Sequence, residues 1–572
     1  MVAKPKSDEL AEVFRACRSY FLTALLFSLA INLLYLASPL YMLQVYDRVV
    51  SSASEQTLVM LTILLVMTLA ILASLDAVRA RLLTRASIRI DRLLASRIVA
   101  ATVEAAARGG NARSQPLRDF DTFRQFITGS GIHAVFDLPW APIYIAVIFM
   151  LHPFLGAFAL GSGVLLVLMA LLNEYLTNTP LAEANAAATR NYAFTDMSLR
   201  NAEVVQAMGM MPGLLQRWSR DRNLLLDRQS FASDRAATTS SIIRFLRLAM
   251  QSLILGLGAY LVIERVTTVG AMFAASILLG RALQPVEQIV GSWRNIISAR
   301  GAYGRVKALL IASPIRDPAL ALPRPAGRLA VEGLGYVFPG TNRPILRSVS
   351  FRIDAGDVLG VIGPSGAGKS TLARQIVGIL APSAGAVRLD GADVSLGPRE
   401  SIGRHIGYLP QDIELFADTV GSNISRFRND NDAEVIEAAQ LAGVHDMILR
   451  LSNGYDTHIG ESGTVLSGGI RQRIGLARAV YANPSLVVLD EPSSNLDSDG
   501  DNALLSCIAV LKKRGTTVVI ISHRPNTLGA VDKLLFLRDG TAEMFGPRDE
   551  VIGRLSPARP ATGQTITRTG AG

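Results

Sequence analysis

Cysteine is nearly absent: Cys17 and Cys507 are the only two in 572 residues. A disulfide framework is therefore excluded, and a reducing compartment is expected. Charge is also scarce, at 18% of residues, where ordinary soluble domains carry about 25%. Half of the chain is apolar and the mean hydropathy is +0.32. Such a chain is too apolar to be wholly soluble, and the same numbers exclude disorder and collagen-like repeats. The net charge is +10, but residues 321–572 are balanced and the whole excess lies in the apolar half. That is the pattern of a membrane domain with basic cytoplasmic loops, not of a nucleic-acid binder.

What is present begins with long uncharged runs. Residues 19–46 and 56–75 each suffice for one membrane-spanning helix, and 138–173, broken at His152-Pro153, suffices for two. Two shorter runs, 248–263 and 266–280, fall short unless Arg244, Arg247 and Arg281 snorkel or line an aqueous cavity. The count is six spans. No small-residue cleavage site follows the first run, which reads as a retained span rather than a signal peptide. Arginine concentrates in segments 76–133 and 174–247, while the short loops between spans hold only Arg48 and Arg265. The positive-inside rule then places both termini and both long loops in the cytoplasm. Those loops read as helical continuations of the spans, with candidate tips at 117–126 and 207–218, the alternative being that these stretches are solvated helices.

Prolines 314, 318, 323 and 325 break the helical pattern. The expected organisation is an N-terminal segment 1–18, a six-span domain 19–312, a linker 313–327, a nucleotide domain 328–555 and a disordered tail 556–572. Beyond Arg328, short β runs alternate with helices, as in an α/β domain. There an apolar strand leads into Gly363-Pro-Ser365-Gly366-Ala-Gly368-Lys369-Ser370-Thr371 and then a helix. This is a phosphate-binding loop in its required context: backbone N–H groups wrap the phosphates, Lys369 reaches the β/γ-phosphates, and Ser370 suits Mg²⁺. Leu486-Val-Val-Leu-Asp490-Glu491 is a buried strand ending in two carboxylates. Asp490 suits a Mg²⁺ ligand and Glu491 a general base for the attacking water. Leu466-Ser467-Gly468-Gly469 opens a further helix and offers a second anion site.

The order of these motifs, followed by Ser522-His523, resembles the ATP-binding-cassette ATPases. With six preceding spans the chain resembles an exporter-type half-transporter: a membrane α-helical domain followed by an α/β P-loop nucleotide-binding domain. The resemblance implies ATP and Mg²⁺ as cofactors and a head-to-tail homodimer. Each ATP would then meet one phosphate loop and the partner's Ser467, Gly468 and Gly469. It further implies that Tyr336 stacks on adenine, Gln411 senses Mg²⁺, Asp497 sits in the dimer-contact loop and His523 contacts the γ-phosphate. Ile470 stands where the family usually has Gln.

Ser38-Pro-Leu-Tyr-Met-Leu-Gln-Val-Tyr-Asp47-Arg48-Val49 resembles the first-span exit of type I protein-secretion exporters. Phe136-Asp137-Leu-Pro-Trp140-Ala-Pro142 and Ala202-Glu-Val-Val-Gln-Ala-Met-Gly-Met210 are similar to the branch exporting proteases, lipases and haem-scavenging proteins. That branch implies an inner-membrane exporter of unfolded polypeptides bearing an uncleaved C-terminal signal. Its partners would be a periplasmic adaptor, an outer-membrane channel, the cargo and membrane lipid, with no nucleic acid. Residues 1–18 are too few for the cysteine-peptidase domain some exporters carry, so Cys17 is expected to be inert. The rival reading is a lipid or multidrug exporter on the same fold. A non-transporting regulator would better suit a degenerate site, whereas Lys369, Asp490, Glu491 and His523 are all present.

Overall fold

The computed structural model describes residues 9–108, 115–314, 323–338, 341, 343–397, 399–428, 431–460 and 466–555. The expected tail 556–572, most of the linker and the first eight residues lie outside these. The chain divides into two compact units, Met1–Pro314 and Ile315–Gly572.

The first unit is all helix. Six helices among the described residues are long and apolar enough to cross a membrane: Arg18–Ser52, Glu55–Ala107, Gly131–Leu151, Pro153–Arg200, Met211–Ile263 and Val269–Gly291. The 53 residues of Glu55–Ala107 reach about 80 Å, well beyond a ~30 Å hydrocarbon core. Helices Pro153–Arg200 and Met211–Ile263 are similarly long. The two short uncharged runs thus belong to helices that continue through charged residues.

A buried polar network ties the first three spans together. Asp137 Oδ1 accepts from Ser28 Oγ (2.5 Å), Asn32 Nδ2 (3.0 Å) and Arg79 Nη1 (2.7 Å). The Tyr144 hydroxyl donates to Asn32 Oδ1 at 2.8 Å. Inside a bundle lacking a hydrophobic drive between helices, such bonds fix helix pairing. At the opposite turn, Asp47 accepts from Thr268 Oγ1 and the Gly270 amide, fastening the first span's exit to the start of the last.

The candidate tips need correction. Residues 117–126 lie within the helix Gln115–Thr128, where Asp119 and Phe120 are buried. Arg305 forks onto Asp119 at 2.7 and 2.8 Å and clamps this helix to Trp293–Ala312. Of the two connections, 109–114 lies outside the described residues. The second is 201–210, carrying the short helix Ala202–Ala207, and 207–218 runs from its end into Met211–Ile263.

The second unit is α/β. Its strands are β1 (Leu329–Val337), β2 (Pro344–Ile353), β3 (Val358–Ile362), β4 (Ala384–Leu389), β5 (Ala392–Asp393), β6 (Ile406–Leu409), β7 (Leu486–Asp490), β8 (Thr517–Ile521), β9 (Lys533–Arg538) and β10 (Thr541–Pro547). One sheet has the order β10-β9-β3-β8-β7-β6, parallel except at β10; the other is antiparallel, β2-β1-β4-β5. β7 and β8 are buried along their whole length, as expected of parallel strands covered on both faces. This register brings the C-terminal ends of β3, β8, β7 and β6 to one edge, where ligands bind in open α/β sheets.

Candidate functional site

β3 hands the chain to the phosphate loop, whose geometry only glycine permits. Gly363 has φ +149°, and an added Cβ would lie 2.0 Å from the Leu537 carbonyl oxygen of β9. Gly366 and Gly368 also have positive φ, and Ser365 is exposed beside them. The loop opens the helix Lys369–Ile376, so amides and helix dipole face whatever the loop holds. Lys369 is buried, and its ammonium donates to the carbonyls of Gly363 (2.8 Å) and Pro364 (3.0 Å). Burial lowers its pKa, a shift that the charges of Glu491 and Asp490 oppose.

Asp490 ends β7 and is 1% exposed. Burial raises its pKa, against the lowering influence of a Ser370 hydrogen bond and of Arg374 and Lys369. Its Oδ1 is buried without a hydrogen-bond partner among the described residues. A bare carboxylate oxygen beside a serine hydroxyl and a phosphate cradle is a donor set for a hard divalent cation. Among the described residues no cluster of three His, Cys, Asp or Glu could hold a metal by itself. Gln411 lies two residues past β6, whose Leu409 pairs with Leu489, so it shares this sheet edge and is exposed.

Glu491 makes the turn out of β7 at φ +50°, an uncommon conformation for a non-glycine residue. Its amide donates to the Ile521 carbonyl at 3.0 Å. Because Asp490 pairs with Ile521, β8 delivers His523 to the same place, and His523 Nε2 lies 3.2 Å from Glu491 Oε1. The sheet thus assembles a carboxylate–imidazole pair next to the phosphate loop.

A second cluster surrounds the helix Gly468–Val480. Ser467 caps it, its Oγ accepting from the Ile470 amide at 3.4 Å, and Gly468 and Gly469 open its first turn. Sequence reading missed two residues here. Gln472 is buried and donates to the Pro492 carbonyl at 2.8 Å, tying this helix to the turn after Glu491. Arg473 donates to the Gly443 carbonyl (3.0 Å) and to Asp497 Oδ1 (2.7 Å). Asp497 also caps the helix Ser498–Lys513, and the Gly500 amide it accepts from holds its carboxyl below the usual range. Both partners follow Leu-Ser-Gly-Gly at helical spacing, but no local pattern marks what they would reach.

Tyr336 is a correction. It is 6% exposed and belongs to the same core cluster as Leu346, Val349 and Leu372, which leaves its ring little surface to offer a base. The exposed aromatic is Phe338, at 43%, just past the end of β1. β1 and β2 pair Tyr336 with Leu346, and Leu346 borders Gly368 of the loop.

The ABC transporter family model matches residues 346–494, and that of the ABC transporter transmembrane region matches 21–286. The type I secretion system ATP-binding protein PrsD of Rhizobium meliloti is 43% identical over 556 residues, 97% of this chain and 96% of that protein. The chain belongs to the type I secretion ABC exporters. The leukotoxin translocation ATP-binding protein LktB of Mannheimia glucosida is 28% identical over 94% of this chain and 76% of its own length. A bacterial Atm1-family ABC exporter with ATP bound shares the fold, with a TM-score of 0.81 at 24% identity, covering 94% of this chain and 96% of that one.

The exporter is accordingly an ATP-using, multi-pass protein of the inner membrane. At its departure, Ile470, the side chain is half-buried and packs against the apolar cluster that includes Ile474 and Leu466.

Proposed function

We propose that this exporter drives unfolded polypeptides, bearing an uncleaved C-terminal signal, across the inner membrane as a homodimer coupled to ATP hydrolysis. Both termini lie in the cytoplasm, and a periplasmic adaptor and an outer-membrane channel complete the conduit. The 43% identity to a type I secretion protein over 97% of the chain carries this reading.

In this reading the phosphate loop and Lys369 bind the triphosphate, exchanging the loop carbonyls for phosphate oxygens at the ammonium. Ser370 and Asp490, with Gln411 nearby, hold Mg²⁺, which neutralises charge on the phosphates. Glu491 takes the proton of the attacking water, and His523 keeps its carboxylate oriented and reaches the γ-phosphate. Phe338, not Tyr336, stacks on adenine. Ser467, Gly468, Gly469 and Asp497 serve the ATP of the partner protomer.

The test is co-expression with an adaptor and an outer-membrane channel in a Gram-negative host. The reporter carries the C-terminal segment of a type I secreted protein. Reporter in the medium with the native chain and none with Glu491→Gln is the expected result. A live ATPase stimulated by lipids or amphiphiles, with no reporter exported under any adaptor pairing, would overturn it in favour of a lipid or drug exporter.

A further inference from the structure

Within the membrane unit, helices Met211–Ile263 and Val269–Gly291 line an open cavity of about 540 Å³. Its volume is that of a ligand pocket, and among its lining residues Ile277 supplies the one large apolar side chain. Three guanidiniums, Arg244, Arg247 and Arg281, meet a single carboxylate, Glu287. Glu287 is shared by Arg244 (3.4 Å) and Arg247. Arg281 pairs with no carboxylate among the described residues; its guanidinium lies 4.0 Å over the Tyr35 ring and donates to Gln284 Oε1 at 3.3 Å. The cavity therefore carries two uncompensated positive charges.

Position makes this costly. Arg281 sits near the midpoint of its helix, about 15–18 Å from either end. An ionisable group within a membrane-spanning segment is expensive and marks a pathway or a ligand. Two backbone features suit the same site. Gly280 leaves room for the Gln251 amide, which a Cβ would meet at 3.1 Å. Pro285 has no N–H for the Arg281 carbonyl, freeing a backbone acceptor at that level. The amides of Gln251, Gln284 and Gln288 each offer both donors and an acceptor, as a strand-like peptide backbone requires.

We propose that this cavity is a cargo-binding station, taking aspartate or glutamate side chains of an extended polypeptide in transit, with Arg281 and Arg244 as the carboxylate receptors. The proposal rests on the export reading. An anionic lipid is the lesser fit, because Ile277 is the one large apolar side chain in the lining.

The test uses the purified full chain in zwitterionic nanodiscs. A fluorescent peptide of alternating Asp and Ser is compared with its Asn–Ser twin by anisotropy. The Asp peptide is expected to bind, the Asn twin at least about tenfold more weakly, and Arg244→Gln/Arg281→Gln to abolish the difference. Glu287→Gln, which releases two guanidiniums, is expected to tighten the Asp peptide several-fold, a gain that misfolding does not give. Equal binding of both peptides, or an arginine variant that binds as the native chain does, would overturn the station. So would a variant that loses only phosphatidylglycerol retention, which marks a lipid site. Undiminished reporter export by the double arginine variant overturns the station but leaves the export reading standing. Failure of the native chain to export under any adaptor pairing counts against the export reading itself.

Discussion

Replacing Glu491 by Gln removes a charge while keeping size and backbone preference, so the φ of +50° costs the same before and after. The phosphate loop, Lys369 and Ser370 are untouched, and ATP affinity is expected to stay within about twofold. Turnover is another matter: a positioned general base contributes roughly 10²–10⁴-fold, and kcat should fall by that factor. His523 gives the sharper test. Its imidazole is 54% exposed and its bond to Glu491 is 3.2 Å, so His523→Ala should cost under about 1 kcal/mol in stability. If it works partly by holding Glu491, His523→Ala lowers kcat at least tenfold alone, yet lowers it little further in the Glu491→Gln background. Steady-state hydrolysis by the reconstituted chain, with nucleotide affinity measured separately, reads both. Glu491→Gln keeping more than about a tenth of native turnover would refute the base assignment. Strictly multiplicative effects would refute the coupling.

The ring exposures predict that Phe338→Ala weakens ATP binding about 2–10-fold, the worth of one aromatic stack, while Tyr336→Phe leaves ATP affinity unchanged; titration with a fluorescent ATP analogue decides between the rings. Gly363→Ala drives a Cβ to 2.0 Å from the Leu537 carbonyl and should abolish nucleotide-dependent thermal stabilisation. Asp490→Asn keeps the shape at the end of β7 but removes the charge, so the Mg²⁺ concentration for half-maximal hydrolysis should rise at least tenfold. Arg426 donates to the carbonyls of Gly403, Ile406, Arg478 and Ala479, and burial pushes its pKa down to about 10. Arg426→Leu strands those acceptors, and calorimetry should register a loss of roughly 3–5 kcal/mol.

How far such sites can be read in advance depends on whether their physics is local. The phosphate loop is contiguous, and the backbone angles at Gly363, Gly366 and Gly368 are a property of the loop itself, so the motif announces the geometry. The spans announce themselves through uncharged length, except where a helix carries charge inward. Arg281 ended the last run on paper, yet in the fold it rests on Tyr35 of the first span and the helix runs on to Gly291. The exposures of Tyr336 and Phe338 differ for a tertiary reason. The pairing of β1 with β2 shifts register at three places between Val331 and Val337. Strict alternation therefore fails, and nothing short of the sheet shows that Tyr336 turns inward while Phe338 stays out. The Glu491–His523 pair depends likewise on β7 lying beside β8, with Asp490 opposite Ile521. A motif order can suggest that pairing; only strand adjacency makes it a 3.2 Å contact.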